Sequence, residues 1–367
     1  IAVLAVNMTV HSKRINVIRR DFDTVNYSLS MLAALEKVRL LGRPALDTML
    51  APAYGSLDRF RSAVRLGGVS GYSGNELANT VSTILLLDLI NYEFLKNKLW
   101  RNHNDIFTIH EYLGKIDASI AIASFIKSQP YLCQPEIDFT DSGPVFFDAA
   151  GMVHPMLEHP VANDLKTSVP ILITGSNASG KSTYIKTAAL CAILAQAVCV
   201  TTAHSYRASA FRIFSSMAVT DDLTAGESYY IVEIKSLKRI IDAADSGGKI
   251  LCVIDEVLRG TNTVERIAAS TEVLSALHEK YILCFAATHD IELCTLLAGK
   301  YTLCHFEETL GDHDMTFDYK IKPGSAGTRN AINLLKLMGF DDGIVERAHE
   351  RASRYLKTGA WSQDNSQ

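Results

Sequence analysis

The sequence has no surplus of positive charge. Of its 367 residues, 36 are lysine or arginine and 40 are aspartate or glutamate, so the formal net charge is −4. This balance excludes a protein that coats nucleic acid through a generally basic surface, because such binding depends on many cationic contacts to phosphates. A local basic patch, or DNA contacts made by parts outside this chain, stays open.

The sequence also lacks Cys-x-x-Cys pairs and long apolar runs. Its seven cysteines are scattered from Cys133 to Cys304, which is typical of reduced thiols, so we expect an intracellular, cytoplasmic protein. The longest apolar stretch, Ala188 to Val200, has 13 residues and contains Gln196, so it is too short to span a bilayer. We find no signal peptide, and because the chain opens on Ile1 we expect a fragment of a longer protein.

The first part of the chain is predicted to be almost entirely helical. Residues 75–99 are apolar on most sides, and a seam of apolar residues three and four positions apart follows at Ile106, Ile109, Leu113, Ile116, Ile120 and Ala123. The short polar link Trp100–Asp105 favours a long antiparallel helix pair. Two core helices of a bundle or a rigid lever would both show this pattern, and the sequence favours the bundle.

Proline and glycine become frequent between about residues 130 and 170, where we place a domain boundary. Short apolar runs then alternate with helical patterns, which indicates an α/β domain with a mainly parallel sheet and flanking helices. Strands are predicted at 169–174, 250–254 and 282–287, and helices at 181–198, 264–279, 326–338 and 343–356. The predicted domains are an all-α domain at 1–135, the α/β domain at 136–358 and a flexible tail at 359–367.

The most specific motif is the run from Gly175 to Ser182, which matches G-x-x-x-x-G-K-[ST] between a predicted strand and a predicted helix. Its glycines let successive backbone N–H groups point at one anion, and the helix start adds partial positive charge. Lys181 is expected to reach the β- and γ-phosphates of ATP, and Ser182 to ligate Mg²⁺. The predicted nucleotide-binding residues are Gly175, Ser176, Asn177, Ala178, Ser179, Gly180, Lys181, Ser182 and Thr183.

Two further predicted strands end in polar residues that suit the same chemistry. Asp255 and Glu256 follow the strand at 250–254, and His289 follows the strand at 282–287. Ligands bind at the carboxyl ends of such strands, so we expect Asp255 to hold Mg²⁺, Glu256 to act as general base and His289 to hydrogen-bond the γ-phosphate. We assign Lys181, Glu256 and His289 to the catalytic set.

A GTPase is disfavoured, because the only Asn-Lys pair, Asn97-Lys98, is followed by Leu99 and Trp100 rather than by an N-K-x-D run. The glycine motif alone does not exclude a small-molecule kinase. The acid pair and the later histidine suit a dimerising ABC-type P-loop ATPase better.

Taken together, these segments resemble the MutS family of DNA mismatch-repair ATPases. The similar runs are 174–184 around the glycine motif, 255–263 after the acid pair, 287–289 with the histidine, 226–233 as a signature segment, and 154–155 with 163–165 as the lead-in. The resemblance implies a homodimer or pseudo-dimer with ATP and Mg²⁺ between subunits, in which Ser228 contacts the nucleotide of the other subunit. It also implies that core and lever helices connect the ATPase to DNA-binding parts.

The chain departs from the family pattern at several positions. Ser176 stands where proline is usual, Leu258 where glycine is usual, and Pro160 where an aromatic residue stacks on adenine. The run Phe306-Glu307-Glu308 has the letters of the family's mismatch-reading wedge, but we interpret it as a strand end with solvated acids. These departures indicate a divergent branch.

Two functions follow from these observations. The first is an ATP-driven, dimeric ATPase of mismatch-repair type that couples dimer closure to DNA binding through lever helices. The second is a nucleotide-gated interaction protein without mismatch specificity, which the acidic net charge and the departures from the family pattern favour.

Overall fold

In the computed structural model of the protein, the described residues are 2–61, 85–176, 179–217, 229–280, 282–310, 315–326, 332, 335–336, 338–359 and 361. The chain divides into two compact units, Ile1–Lys127 and Ser128–Gln367. Each unit has its own buried apolar core. Within the described residues, no helix combines the length and apolar content needed to cross a bilayer.

The described part of the first unit is built from four helices, which are α1 (Ala2–Leu40), α2 (Pro44–Asp58), α3 (Leu87–Arg101) and α4 (His103–Ser128). Pro44 suits the first position of α2, because its missing N–H would have no partner there. The core is formed by one apolar face of each helix, including Leu32, Leu57, Tyr92 and Ile109. Burial of these faces holds the helices together.

Buried polar contacts fix how α4 begins. Asp105, in its first turn, accepts hydrogen bonds from Ser56 Oγ at 2.9 Å and from Arg59 Nη1 at 2.6 Å. The seam predicted on this helix is only partly buried, because Ile109 is in the core whereas Ile120 is 60% exposed. Within the described residues α3 packs more extensively on α1 than on α4, and residues 75–84 of the predicted helix pair lie outside them.

The described strands of the second unit are β1 (Glu136–Asp138), β2 (Phe147–Met152), β3 (Asn163–Thr167), β4 (Ile171–Thr174), β5 (Ser205–Ser209), β6 (Arg212–Ser216), β7 (Ile250–Asp255), β8 (Leu283–Ala287), β9 (Thr302–His305), β10 (Glu308–Leu310), β11 (Met315–Phe317) and β12 (Lys322–Pro323). Six of them form a sheet in the order β12-β9-β4-β8-β7-β6, whose strands are parallel except for β12 at one edge. A four-stranded sheet has the order β1-β5-β2-β3, and β10 and β11 form a hairpin.

Helices cover both faces of the six-stranded sheet. They are α5 (Lys181–Val198), α6 (Tyr229–Ala244), α7 (Thr263–Glu279) and the short α8 (Glu292–Leu296). A further helix, α9 (Asp342–Thr358), follows later in the chain. Alternate residues of each central strand face opposite cores, so Ile171 and Ile173 pack with α5 whereas Leu172 packs with α6 and α7. This two-sided burial explains the continuous apolar strands.

The α/β fold class predicted for this part of the chain is confirmed. The helix predicted at 181–198 has those bounds, and the strand predicted at 282–287 is found as β8. The helix predicted at 326–338 lies largely outside the described residues. The four-stranded sheet was not predicted.

Asp138 links the two sheets through a partly buried ion pair. Its carboxylate lies 3.2 Å from Nζ of Lys249, whose side chain is 7% exposed and which directly precedes β7. The hydroxyl and backbone N–H of Thr140 also donate to it. These bonds, with the Lys249 contact, lower the pKa of Asp138 to about 2.

We expect the substitution Asp138→Asn to lower the thermal midpoint of unfolding at pH 7. A carboxyl group whose pKa is depressed on folding stabilises the protein above the unfolded value near 4, and this contribution disappears as pH falls to about 2. Midpoints measured between pH 7 and pH 2 should therefore converge for the variant and the parent. Asp148→Asn, which breaks a more exposed pair with Lys166, is the control with a smaller effect. A difference that persists unchanged at pH 2 would contradict the assignment.

Candidate functional site

The site is centred on the glycine loop, residues 175–180, between β4 and α5. Gly175 has φ +143° and Gly180 has φ +104°, a region that side-chain-bearing residues rarely adopt. A Cβ atom at Gly175 would lie 2.8 Å from the carbonyl oxygen of Phe306, so the close approach of the two segments also requires glycine there. Asn177 and Ala178 lie outside the described residues.

Lys181, the first residue of α5, is directed back into the glycine loop. Its side chain donates from Nζ to the carbonyl oxygens of Gly175 at 2.9 Å and Ser176 at 2.7 Å. The residue is only 5% exposed, and burial lowers the pKa of its ammonium to about 8. Nearby carboxylates, with Glu256 first, oppose that shift.

Glu256 lies beside this lysine at the end of β7. Its φ of +60° is left-handed, and its backbone N–H donates to Ala287 O of β8 at 2.9 Å. One carboxylate oxygen, Oε1, lies 2.9 Å from Nε2 of His289, and the other accepts a hydrogen bond from Nε of Arg259. Both oxygens of the predicted base are thus engaged.

His289 completes the cluster from the end of β8. Its Nε2, the atom that contacts the Glu256 carboxylate, also lies 3.5 Å from Nζ of Lys181. Burial, followed by the charge of Lys181, lowers the pKa of His289. The next residue, Asp290, is fixed by a two-pronged ion pair with Arg266 of α7 at 2.7 and 2.9 Å.

The parallel sheet explains why these side chains meet. In the register of β4, β8 and β7, Ala287 pairs with both Ile173 and Asp255. The three neighbouring strands therefore end at one level, and the residues that follow them share one edge of the sheet. The structure brings together Lys181, Glu256 and His289, with Asp255 partly buried one residue before Glu256.

A cavity of about 410 Å³ opens beside this cluster. Its walls include Lys181, Glu256 and His289 together with Ser176, Ser179, Gly180, Ser182 and Thr183 of the loop and helix. Pro160 and Tyr319 also border the cavity. The cavity is large enough for a small-molecule ligand.

Tyr319 was not identified from the sequence. Its ring is stacked with Phe317 at 5.7 Å, and a Cβ atom at Gly180 would lie 3.2 Å from it. Asn163 holds the surrounding backbone, since its side chain donates to Tyr319 O at 2.9 Å and accepts from Ile321 N at 2.9 Å. Asn163 and Tyr319 are more than 150 positions apart, so no local pattern in the sequence reveals their contact.

The interpretation of Glu308 as a solvated strand-end acid is wrong. Glu308 is 7% exposed, and its carboxylate accepts a hydrogen bond from Ser176 Oγ at 2.9 Å. Glu307, the residue before it, instead forms an ion pair with Lys322 at 2.9 Å. The glycine loop is thus attached to β10 through the serine that replaces the usual proline.

Several predicted residues are tested less directly by the structure. Ser228 lies outside the described residues, one position before α6 begins at Tyr229. Ser182 and Asp255 offer a hydroxyl and a carboxylate oxygen, and such oxygen donors fit Mg²⁺, which takes few protein ligands and keeps several waters. Among the described residues no group of three or more His, Cys, Asp or Glu side chains could hold a metal ion by itself.

The fold and the site define an α/β domain of the ATPase type, and comparison with known proteins identifies its family. Residues 171–356 match the family model "MutS domain V". The chain belongs to the MutS family. The resemblance inferred from the sequence motifs is therefore confirmed.

The similar curated proteins are much longer than this chain. "DNA mismatch repair protein MutS" of Caldanaerobacter subterraneus is 31% identical over 309 residues, which cover 80% of this chain and 35% of that protein. The protein with the same name from Natronomonas pharaonis is 30% identical over 65% of this chain and 28% of its own length. "DNA mismatch repair protein MutS 2" of Haloarcula marismortui is 32% identical over 52% and 20%. The chain thus spans about a third or less of these relatives.

The close contact at Gly175 generates a stability prediction. We expect Gly175→Ala to destabilise the protein by about 1–3 kcal/mol more than Gly143→Ala. Both glycines have positive φ, but a Cβ atom at Gly143 would meet nothing within 4 Å. Urea denaturation of the two variants would compare their free energies of unfolding, and equal losses would show that the contact with Phe306 is unimportant.

Proposed function

We propose that this chain binds ATP in the cavity beside the glycine loop and hydrolyses it as part of a dimeric ATPase of the mismatch-repair type. The observation that carries the proposal is the convergence of Lys181, Glu256 and His289 at one edge of the sheet, bordering a cavity of about 410 Å³. The proposed architecture is an ABC-type P-loop ATPase domain at 136–358, preceded by an all-α domain at 1–135 and followed by a flexible tail.

Binding would begin with the glycine loop and Lys181. The ammonium now donates to two loop carbonyls, which are weaker acceptors than phosphate oxygens. Its lowered pKa shows that the surrounding carboxylates do not fully compensate its burial. Phosphate oxygens would replace these carbonyls as stronger acceptors for the ammonium, and backbone N–H groups at the start of α5 would bind the same group.

Glu256 would act as the general base toward water. Its two carboxylate oxygens are held by His289 and Arg259, so one of these contacts must open before the carboxylate can accept a proton from water. His289, whose lowered pKa favours the neutral imidazole, would then be free to hydrogen-bond the γ-phosphate. Mg²⁺ bound by Ser182 and Asp255 would neutralise charge on the β- and γ-phosphates.

Dimer formation and DNA coupling are the remaining parts of the proposal. The relatives are named as DNA mismatch repair proteins, and we transfer DNA as a partner from that name. A second subunit would contribute Ser228 to the nucleotide, and α1–α4 would transmit closure of the dimer to DNA-binding parts outside this chain.

Replacing the general base provides the central test. Glu256→Gln should leave the affinity for ATP within about twofold and reduce the hydrolysis rate by roughly 10²–10⁴-fold, because the amide cannot accept the proton. Isothermal titration and phosphate release would measure the two quantities. Glu279→Gln, which removes an exposed carboxylate at the far end of α7, is the matched control. Unchanged hydrolysis in Glu256→Gln would remove this residue from its assigned role.

The lysine tests binding separately. Lys181→Ala should weaken ATP binding about 10- to 100-fold, because a charge-assisted hydrogen bond to phosphate is lost. Affinity measured by titration should fall, while the circular dichroism spectrum reports whether the variant still folds. A folded variant with the parent's affinity would overturn the assignment of the glycine loop.

A nucleotide-gated interaction protein without mismatch specificity is the second candidate, and the net charge of −4 favours it. DNA binding separates the two functions. If the protein is a mismatch-type ATPase, the complete protein should bind mismatched or branched DNA, and its affinity should fall steeply as the salt concentration rises. Failure of matched, mismatched and branched DNA to bind, together with intact ATP hydrolysis, would favour the second candidate.

A further inference from the structure

The segment after the acid pair, Val257–Gly260, is enclosed between α6 and α7. Val257 and Leu258 are both almost fully buried in the core. Ser270 of α7 donates from Oγ to Val257 O at 3.3 Å. From the other side, Tyr230 in the first turn of α6 packs so closely that a Cβ atom at Gly260 would lie 2.9 Å from it.

A buried carboxylate on α6 reaches into this segment. Glu233 is 1% exposed, and its Oε1 accepts a hydrogen bond from the backbone N–H of Leu258. Its second oxygen is buried and has no hydrogen-bond partner among the described residues. Burial raises the pKa of Glu233, and the backbone N–H groups of Leu258 and Arg259 oppose the rise. Because a buried carboxylate is costly, packing alone does not explain this residue.

The residue that Glu233 holds has an unfavourable backbone conformation. Leu258 has φ +57°, a left-handed geometry that is unfavourable for a residue with a side chain. Such conformations persist only where the surroundings over-determine them. The hydrogen bond that Leu258 N–H donates to Glu233 and the burial of the Leu258 side chain provide that constraint.

We infer that Glu233 is a positioning residue, whose carboxylate oxygen holds Leu258 in its left-handed conformation and thereby places Arg259 against Glu256. This inference rests on the proposed role of Glu256. Arg259 immediately follows Leu258, and its side chain contacts the Glu256 carboxylate that also faces His289. Because α6 begins one residue after Ser228, Glu233 also connects the start of this helix to the catalytic cluster.

Two substitutions separate the acceptor role from a charge or packing role. Glu233→Gln keeps the length of the side chain and an oxygen acceptor but removes the charge. Glu233→Asp keeps the charge but shortens the side chain by one methylene, so the oxygen no longer reaches Leu258 N–H. Asp242→Asn, on the exposed face of the same helix and paired with Lys238, is the matched control.

The experiment combines amide hydrogen exchange with ATP hydrolysis on the full chain. In Glu233→Asp, exchange in peptides covering residues 256–260 should accelerate about tenfold while peptides from β4 and α5 are unchanged. Its kcat should fall about tenfold with the nucleotide dissociation constant within twofold, because an effect on the reacting group alone leaves binding intact. Glu233→Gln and Asp242→Asn should stay within threefold of the parent in both measurements.

Several outcomes would overturn the inference. These are unchanged exchange at 256–260 in Glu233→Asp, equal acceleration in all peptides of the second unit, or a loss in Glu233→Gln as large as in Glu233→Asp. If the parent protein does not hydrolyse ATP, the proposed function fails, whereas the exchange measurement still decides the role of Glu233.

Discussion

The buried ammonium of Lys181 is the interaction on which the site depends. A cation that is 5% exposed is stable only if polar groups surround it, and this one is held by two carbonyls of its own loop with Glu256, Asp255 and Glu308 nearby. The two carbonyls directly follow β4, and the carboxylates lie at the end of β7 and in β10. The polar surroundings of the ammonium are therefore complete only when these strands have come together. As a result, the Lys181 ammonium, the Glu256 carboxylate and the His289 imidazole border one cavity.

The parallel sheet supplies this placement from the simplest features of the sequence. Apolar runs that alternate between two buried faces fix the register of β4, β7 and β8, and that register sets where each strand ends. For this reason local patterns were sufficient to predict β4, β7 and β8, the helix at 181–198 and the residues that follow these three strands. The family resemblance also followed from local runs, and the match of residues 171–356 confirmed it.

Contacts between distant segments could not be predicted in this way. Tyr319 borders the cavity where Asn163 binds the backbone of Tyr319 and Ile321, and nothing near either segment in the sequence signals the pairing. Glu308 looked like a surface acid because its neighbour Glu307 is one, but strand alternation turns it inward toward Ser176. The seam on α4 has a regular period, yet period alone does not show how far a partner helix extends along it.

The distribution of charge in the site bears on how a nucleotide would enter it. The carboxylates of Asp255, Glu256 and Glu308 act on Lys181, and the charge of Glu256 contributes to the raised pKa of Glu233. The described cations whose charge acts on this group include Lys181, Arg259 and Arg266, whereas the lowered pKa of His289 favours its neutral form. A triphosphate would add several negative charges to a cluster that already has more acids than bases, so repulsion would oppose its entry as a bare anion. A divalent cation bound with the phosphates removes that repulsion, and the acid-rich edge of the sheet therefore favours a nucleotide that arrives together with its metal over one that arrives alone.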